Sequence, residues 1–214
     1  MTPTILRQVR AIWSEALGKD FNQTLLWAVA TVCFFGFLRA GEITLKANEQ
    51  FDTTSHLSFE DVATDDRSNP TFIQLTLKTS KTDPFRNGAN ITIGATGDEI
   101  CPVAALFSYL RLRGNAPGPL FRTVNGRPLT RACFVAWFLD ALEKAGLQGK
   151  EAQQYSGHSF RAGAASTAAA MGMEDSLIKT LGRWESSAYL IYLRLPREDL
   201  QSVSRRLAQY GKVR

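Results

Sequence analysis

Residues 157–194 read GHSFRAGAASTAAAMGMEDSLIKTLGRWESSAYLIYLR, and local signals make the stretch helical from end to end. Ser159 to Met171 is a run of small residues closed by Gly172, a helix with so little bulk that it can pack closely on its neighbours. Glu174 to Leu181 opens on acids, as the helix dipole favours, and stops at Gly182. Ser186 or Ser187 can cap a short helix through Leu195. Pro196 forbids its smooth continuation and suits the first turn of a final helix, Arg197 to Tyr210, which carries Glu198 and Asp199 at its start.

Upstream the pattern is also helical. Thr4 to Leu17 places Ile5, Val9, Ile12, Trp13 and Ala16 near helical spacing, with Gly18 just beyond. Asn22 to Leu38 is apolar nearly all round, the mark of a helix sunk in a core. Pro102 to Leu112 and Thr130 to Ala145 continue the series, the latter entered through a turn at Asn125-Gly126 and closed by Gly146. Between them lie shorter extended segments: a strand at His56 to Phe59, then Thr71 to Leu77 and Asn90 to Ile93 around a turn-rich link, Thr79 to Gly88. The expected fold class is mainly α with a small antiparallel β-sheet (α+β). The 214 residues, without internal repeat or low-complexity tract, fit one domain or one and a fragment.

Charge is unevenly spread. Residues 1–100 carry nine basic and twelve acidic side chains (net −3), and residues 101–214 sixteen against eight (net +8). A local basic excess is the footprint of a nucleic-acid-binding face, and equally that of a merely solvated surface. Cys33, Cys101 and Cys133 are odd in number, far apart and without a CxxC or Cys/His cluster, so neither a disulfide framework nor a metal site is indicated. The longest nearly apolar run, Leu25 to Leu38, is 14 residues, shorter than the ~18 to 20 that cross a bilayer. A protein of the cytosol or nucleus, with no membrane partner, is expected.

Four features bear on chemistry. His158 and Arg161 sit three apart where a helix begins, a place suited to holding a phosphate; by itself His-x-x-Arg also describes a structural ion-pairing motif. Arg39 emerges at the end of the apolar helix with Glu42 three residues on, and a charge so placed must be paired or used; a plain Arg39–Glu42 ion pair is the bland alternative. Lys78 and Lys81 flank the exit of a strand, where lysines are commonly solvated. Trp184 is followed eight residues later by Tyr192, with Tyr189 one turn earlier on the same face; core packing accounts for such aromatics as well. A phenol with pKa about 10 is a poor nucleophile at neutral pH unless cations surround its oxygen. Two Arg, a Lys, a His, a Trp and a Tyr together make a phosphoryl-transfer site.

In their order, with Arg39 in LRAGE, Lys81 in SKTD, His158 and Arg161 in GHSFR, Trp184 in LGRW and then Tyr192, these residues resemble the catalytic domain of the tyrosine recombinases, the integrase family of DNA breaking and rejoining enzymes. The resemblance runs from about Phe21 to Leu207 and is most specific from Gly157 to Arg194. The phrases FFGFLRAGEIT, SKTDPFRNG, HSFRAGAAS and GRWESSAYLIYLR look most like recombinases of eukaryotic mobile elements, of the Crypton and tyrosine-recombinase retrotransposon kind.

The resemblance implies the tyrosine recombinase catalytic fold over residues 21–214, including the tail helix 197–210. It makes residues 1–20 an N-terminal helix or the remnant of a linker to a missing core-binding domain. It implies that Arg39 and Arg161 grip the scissile phosphate, that Lys81 protonates the leaving 5′-oxygen, and that His158 assists proton transfer from the nucleophile. Trp184 stands where many members have His, so it can donate a hydrogen bond but accept no proton. Glu42 orients the cations. Tyr192 attacks to give a 3′-phosphotyrosyl link, without metal or cofactor. Lys78 competes with Lys81, and Tyr189 with Tyr192, for their roles. Double-stranded DNA is the implied partner, contacted through Arg122, Arg127, Arg131 and Lys179, with a tetrameric synapse assembled on it. Work in the nucleus follows from a eukaryotic source, in the cytoplasm from a bacterial one. Set against this are a catalytically silent DNA-binding descendant, a type IB topoisomerase and an interaction scaffold.

Overall fold

The computed structural model describes residues 1–79, 88–147, 149–184, 186 and 190. Eight α-helices and three strands lie within them: α1 Pro3–Trp13, α2 Phe21–Phe35, α3 Ala40–Ile43, β1 Val62–Thr64, β2 Phe72–Leu77, β3 Ala89–Gly94, α4 Pro102–Arg113, α5 Arg131–Lys144, α6 Lys150–Gln153, α7 Ser159–Ala170 and α8 Asp175–Gly182. The class is the mainly helical one with a small antiparallel sheet. The helices expected at 186/187–195 and 197–210 lie outside the described residues.

Helix α2 is the axis of the molecule. Asp20 caps it, its Oδ1 accepting from the Gln23 N–H at 2.7 Å, and every residue from Thr24 to Phe34 is buried. It packs against α1, α4, α5 and α7, which explains its hydrophobicity on all faces. Helix α1 lays Leu6, Val9 and Trp13 into the same core, and Arg7 and Arg10 pair with Asp98 and Glu99. It stops at Trp13, four residues before the expected end. There the Ala16 N–H bonds the Trp13 carbonyl at 2.9 Å, the tighter i→i+3 pattern that ends many helices.

The strands pair in the order β1-β2-β3, all antiparallel. Ile73 faces Ile93 and Leu75 faces Ile91, all buried on the side turned to the helices. The strand expected at His56 to Phe59 is not formed. Asp61 Oδ2 accepts from both the N–H and the hydroxyl of Ser58 at 2.7 Å, winding Phe59–Asp61 into a single 3₁₀ turn, and the first strand begins only at Val62.

Helix α4 ends at Arg113, a buried guanidinium that donates to the carbonyls of Leu120, Gly114, Ala116 and Pro119 at 2.8–2.9 Å. That satisfies carbonyls of the loop after α4, which carries the chain to α5, capped by Thr130. Helix α7 presents Gly163, Ala164, Ala165 and Ala168 as buried residues and packs against α2 and α8. Among the described residues no helix is long and apolar enough to cross a membrane.

Candidate active site

The chain segments that carry Arg39 and His158 meet through their backbones: the Ala40 N–H donates to the Gly157 carbonyl at 2.9 Å. The approach is tight, since a Cβ on residue 157 would stand 3.2 Å from that of Ala40. Arg39 follows a corner in which Phe37 is left-handed at φ 50°, and it starts α3 in an extended conformation. His158 starts α7 and is exposed; Arg161, one turn on, is buried at 3% exposure.

Glu42 is the hub. Its Oε2 accepts from the backbone N–H of Arg39 at 2.6 Å. Its Oε1 faces Arg161 Nη1 at 3.6 Å and Arg183 Nη2 at 3.5 Å. In place of the alternative, a plain Arg39–Glu42 ion pair, the carboxylate accepts from the Arg39 backbone and serves two other guanidiniums. It is nearly buried, at 6% side-chain exposure. Its negative charge is among the causes holding the buried Cys33 thiol far above its ordinary value, after burial itself. The Arg39 guanidinium keeps one nitrogen, Nη1, buried and without an acceptor among the described residues.

Trp184 lies over Arg161, the guanidinium carbon 4.5 Å from the ring centroid. The ring folds back onto Gly182, where any Cβ would overlap it, and the Gly182 carbonyl accepts from Arg161 Nη2. Glycine in the Leu-Gly-Arg-Trp phrase therefore makes room for the indole that flattens against Arg161. Trp184 is 8% exposed, and its backbone N–H closes α8 on the Lys179 carbonyl at 3.0 Å.

Of the two lysines, Lys78 lies among the described residues. Lys78 Nζ contacts Asp61 Oδ2 at 2.5 Å and donates to the Thr53 carbonyl at 2.7 Å, so it ties β2 to the preceding loop. Lys81, Tyr189 and Tyr192 lie outside the described residues. Of the residues assigned to DNA, Arg127 and Arg131 are exposed. Arg131 runs its aliphatic stem past Gly41 and Gly157, beside both arms of the site. Arg122 is half-buried and donates to the Arg113 carbonyl at 2.7 Å, closing the end of α4; Lys179 is half-buried on α8.

Sequence reasoning quoted Arg183 within LGRW without giving it a role. It is left-handed at φ 55°, donates to the carbonyls of Gly36, Phe37 and Leu181 at 3.1–3.4 Å and reaches Glu42. Burial lowers its basicity, with Glu42 opposing. Its signal in the sequence was position alone, a long cation where a helix C-terminus ordinarily takes glycine. Among the described residues no group of His, Cys, Asp and Glu could hold a metal ion.

No profile of a known protein family matches the sequence, and no curated protein sequence matches it. Solved structures do. XerA recombinase aligns at TM-score 0.65 and 20% identity over 96% of this chain and 62% of its own. XerH site-specific recombinase bound to palindromic difH substrate aligns at 0.67 and 15% over 95% and 51%. A lambda integrase dimer bound to a COC′ core site aligns at 0.60 and 14% over 91% and 47%. The fold is that of tyrosine recombinase catalytic domains, and the chain spans roughly half to three-fifths of the length of these proteins.

Proposed function

We propose that the chain is the catalytic domain of a tyrosine recombinase, which cuts and rejoins double-stranded DNA in site-specific recombination or integration of a mobile element of the Crypton-like kind. One observation carries the reading: Glu42 gathers Arg161, Arg183 and the Arg39 backbone into one largely buried cluster, while a buried nitrogen of Arg39 has no acceptor among the described residues. A guanidinium donor in that condition fits a phosphate oxygen. Several proteins with this fold are in complex with DNA, including the XerH post-cleavage complex and the Tn1549 integrase with circular intermediate DNA.

In the proposed reaction the Tyr192 oxygen attacks the scissile phosphorus and the bond to the 5′-oxygen breaks. The negative charge that builds on the nonbridging oxygens is met by Arg39 and Arg161, a kind of contribution worth about 10³ to 10⁵ in rate. Trp184 keeps the Arg161 guanidinium in one plane. His158, at the exposed start of α7, takes up the phenol proton or passes it on, and Lys81 gives a proton to the leaving 5′-oxygen. Rejoining reverses these steps, so phosphodiester energy is conserved without metal or nucleotide. Arg127, Arg131 and Lys179 hold the DNA backbone, and partner protomers assemble on it, in the nucleus if the source is eukaryotic.

The test is a nicked suicide substrate incubated at low salt in EDTA. A denaturation-resistant protein–DNA species mapped by mass spectrometry to Tyr192, and abolished in Tyr192→Phe while DNA binding persists, is the expected result. DNA binding without any adduct would assign the chain to holding DNA only, and an adduct in Tyr192→Phe would pass the role to Tyr189.

A further inference from the structure

Arg183 occupies a position that conformation alone would give to glycine. It is the C-terminal residue beyond α8, left-handed at φ 55°, and a side chain in that region is unfavourable unless its surroundings hold it there. What holds it is unusual. Its Nη1 donates to the carbonyls of Leu181, at its own helix end, and Gly36, at the end of α2, at 3.1 and 3.4 Å. Its Nη2 donates to the Phe37 carbonyl at 3.2 Å and reaches Glu42 Oε1 at 3.5 Å. Phe37 is itself left-handed, so the guanidinium fastens one strained corner to another. The first corner aims Arg39, and the second carries Trp184 over Arg161.

Charge makes the same point. Glu42 is one buried carboxylate facing two guanidiniums, Arg161 and Arg183. With Arg183 in place, the carboxylate faces a second cation besides Arg161. Without it, Glu42 would act on Arg161 alone and cancel the positive charge offered to the scissile phosphate.

Resting on the recombinase reading, we infer that Arg183 is a positioning residue for the phosphate site: it locks the Phe37–Arg39 corner to the α8–Trp184 corner and shares the Glu42 carboxylate with Arg161. A lysine cannot span three carbonyls and a carboxylate with one nitrogen, so arginine is specified by geometry and not by charge alone.

The experiment measures single-turnover cleavage of the nicked substrate, over a range of DNA concentrations, for the unaltered chain, Arg183→Gly and Arg183→Lys, with thermal unfolding alongside. Glycine suits the left-handed position and offsets part of the lost bonding, so Arg183→Gly should unfold at a somewhat lower temperature yet remain folded under the assay conditions. Its rate at saturating DNA should fall about 10- to 100-fold, with DNA affinity changed less than about threefold. Arg183→Lys should recover only part of the rate. Adding Glu42→Gln to Arg183→Gly should raise the rate above that of Arg183→Gly alone, because the unbalanced carboxylate is gone. Equal cleavage by Arg183→Gly, or full recovery with lysine, would overturn the inference. So would a loss confined to DNA affinity, or one that merely tracks unfolding. Absence of any adduct with the unaltered chain would instead overturn the recombinase reading itself.

Discussion

The plane of the Trp184 indole covers the guanidinium of Arg161, 4.5 Å from ring centroid to the central carbon. Both groups are buried and both belong to the site, so the contact serves packing and orientation together. Trp184→Ala should cost about 3 to 5 kcal/mol of folding free energy, the range for removing a large buried aromatic. Trp184→Phe should restore most of it, since a phenyl face still covers the cation. Urea unfolding midpoints measure both; equal midpoints for the two variants would dismiss stacking as the important part.

Glu42→Gln removes the carboxylate from between two guanidiniums while keeping its shape. Breaking a buried ion pair on one side is expected to destabilise by about 3 kcal/mol, because the cations are left uncompensated. Chemical denaturation should show the loss, and Glu42→Ala should not be milder. A neutral Glu42→Gln would mean that solvent reaches the cluster.

Lys78 and Lys81 should separate cleanly. Lys78→Ala breaks the ties to Asp61 and Thr53 and should lower stability by about 1 to 3 kcal/mol, with cleavage by the folded fraction little changed. Lys81→Ala should leave the unfolding transition in place and slow cleavage by about 10²- to 10⁴-fold, the usual scale of a lost general acid. The reverse pattern would exchange their assignments.

Salt dependence should distinguish the arginines. Arg127→Ala and Arg131→Ala each should weaken DNA binding and reduce the slope of log affinity against log salt by about 0.9 per lost phosphate contact. Arg122→Ala should mainly lower thermal stability, because its guanidinium is occupied with the Arg113 carbonyl. Filter binding across a salt series, paired with melting curves, decides between them.

Much of this was legible in the chain, for local reasons. Periodicity and end signals placed α2, α4, α5, α7 and α8 within a few residues, and β2 and β3 with them, because caps, glycines and alternation act within a few residues of where they are written. The strand expected before Phe59 failed because its fate is set by Asp61 bonding Ser58, a side-chain bond invisible to β-propensity. Helix α6 was missed because four residues carry no period. Within the site, the family resemblance led to Arg39, Glu42, His158, Arg161 and Trp184, of which Arg161 touches both Glu42 and Trp184 and Arg39 joins through its backbone. Arg183 escaped notice because its importance lies in three carbonyls contributed by chain ends far apart in sequence.

Glu42 and Arg183 are separated by 141 residues, yet the cluster is incomplete without both. The site therefore cannot form early in the folding of the chain or during its synthesis, when only the first helices have emerged. Contacts of such long sequence separation carry a large loop-closure cost, which the rest of the core must offset. A half-made molecule carries arginines scattered along a flexible chain and nothing that can grip a phosphate in a fixed geometry. On the proposed reading, completion of the core and assembly of the phosphate cluster are one event.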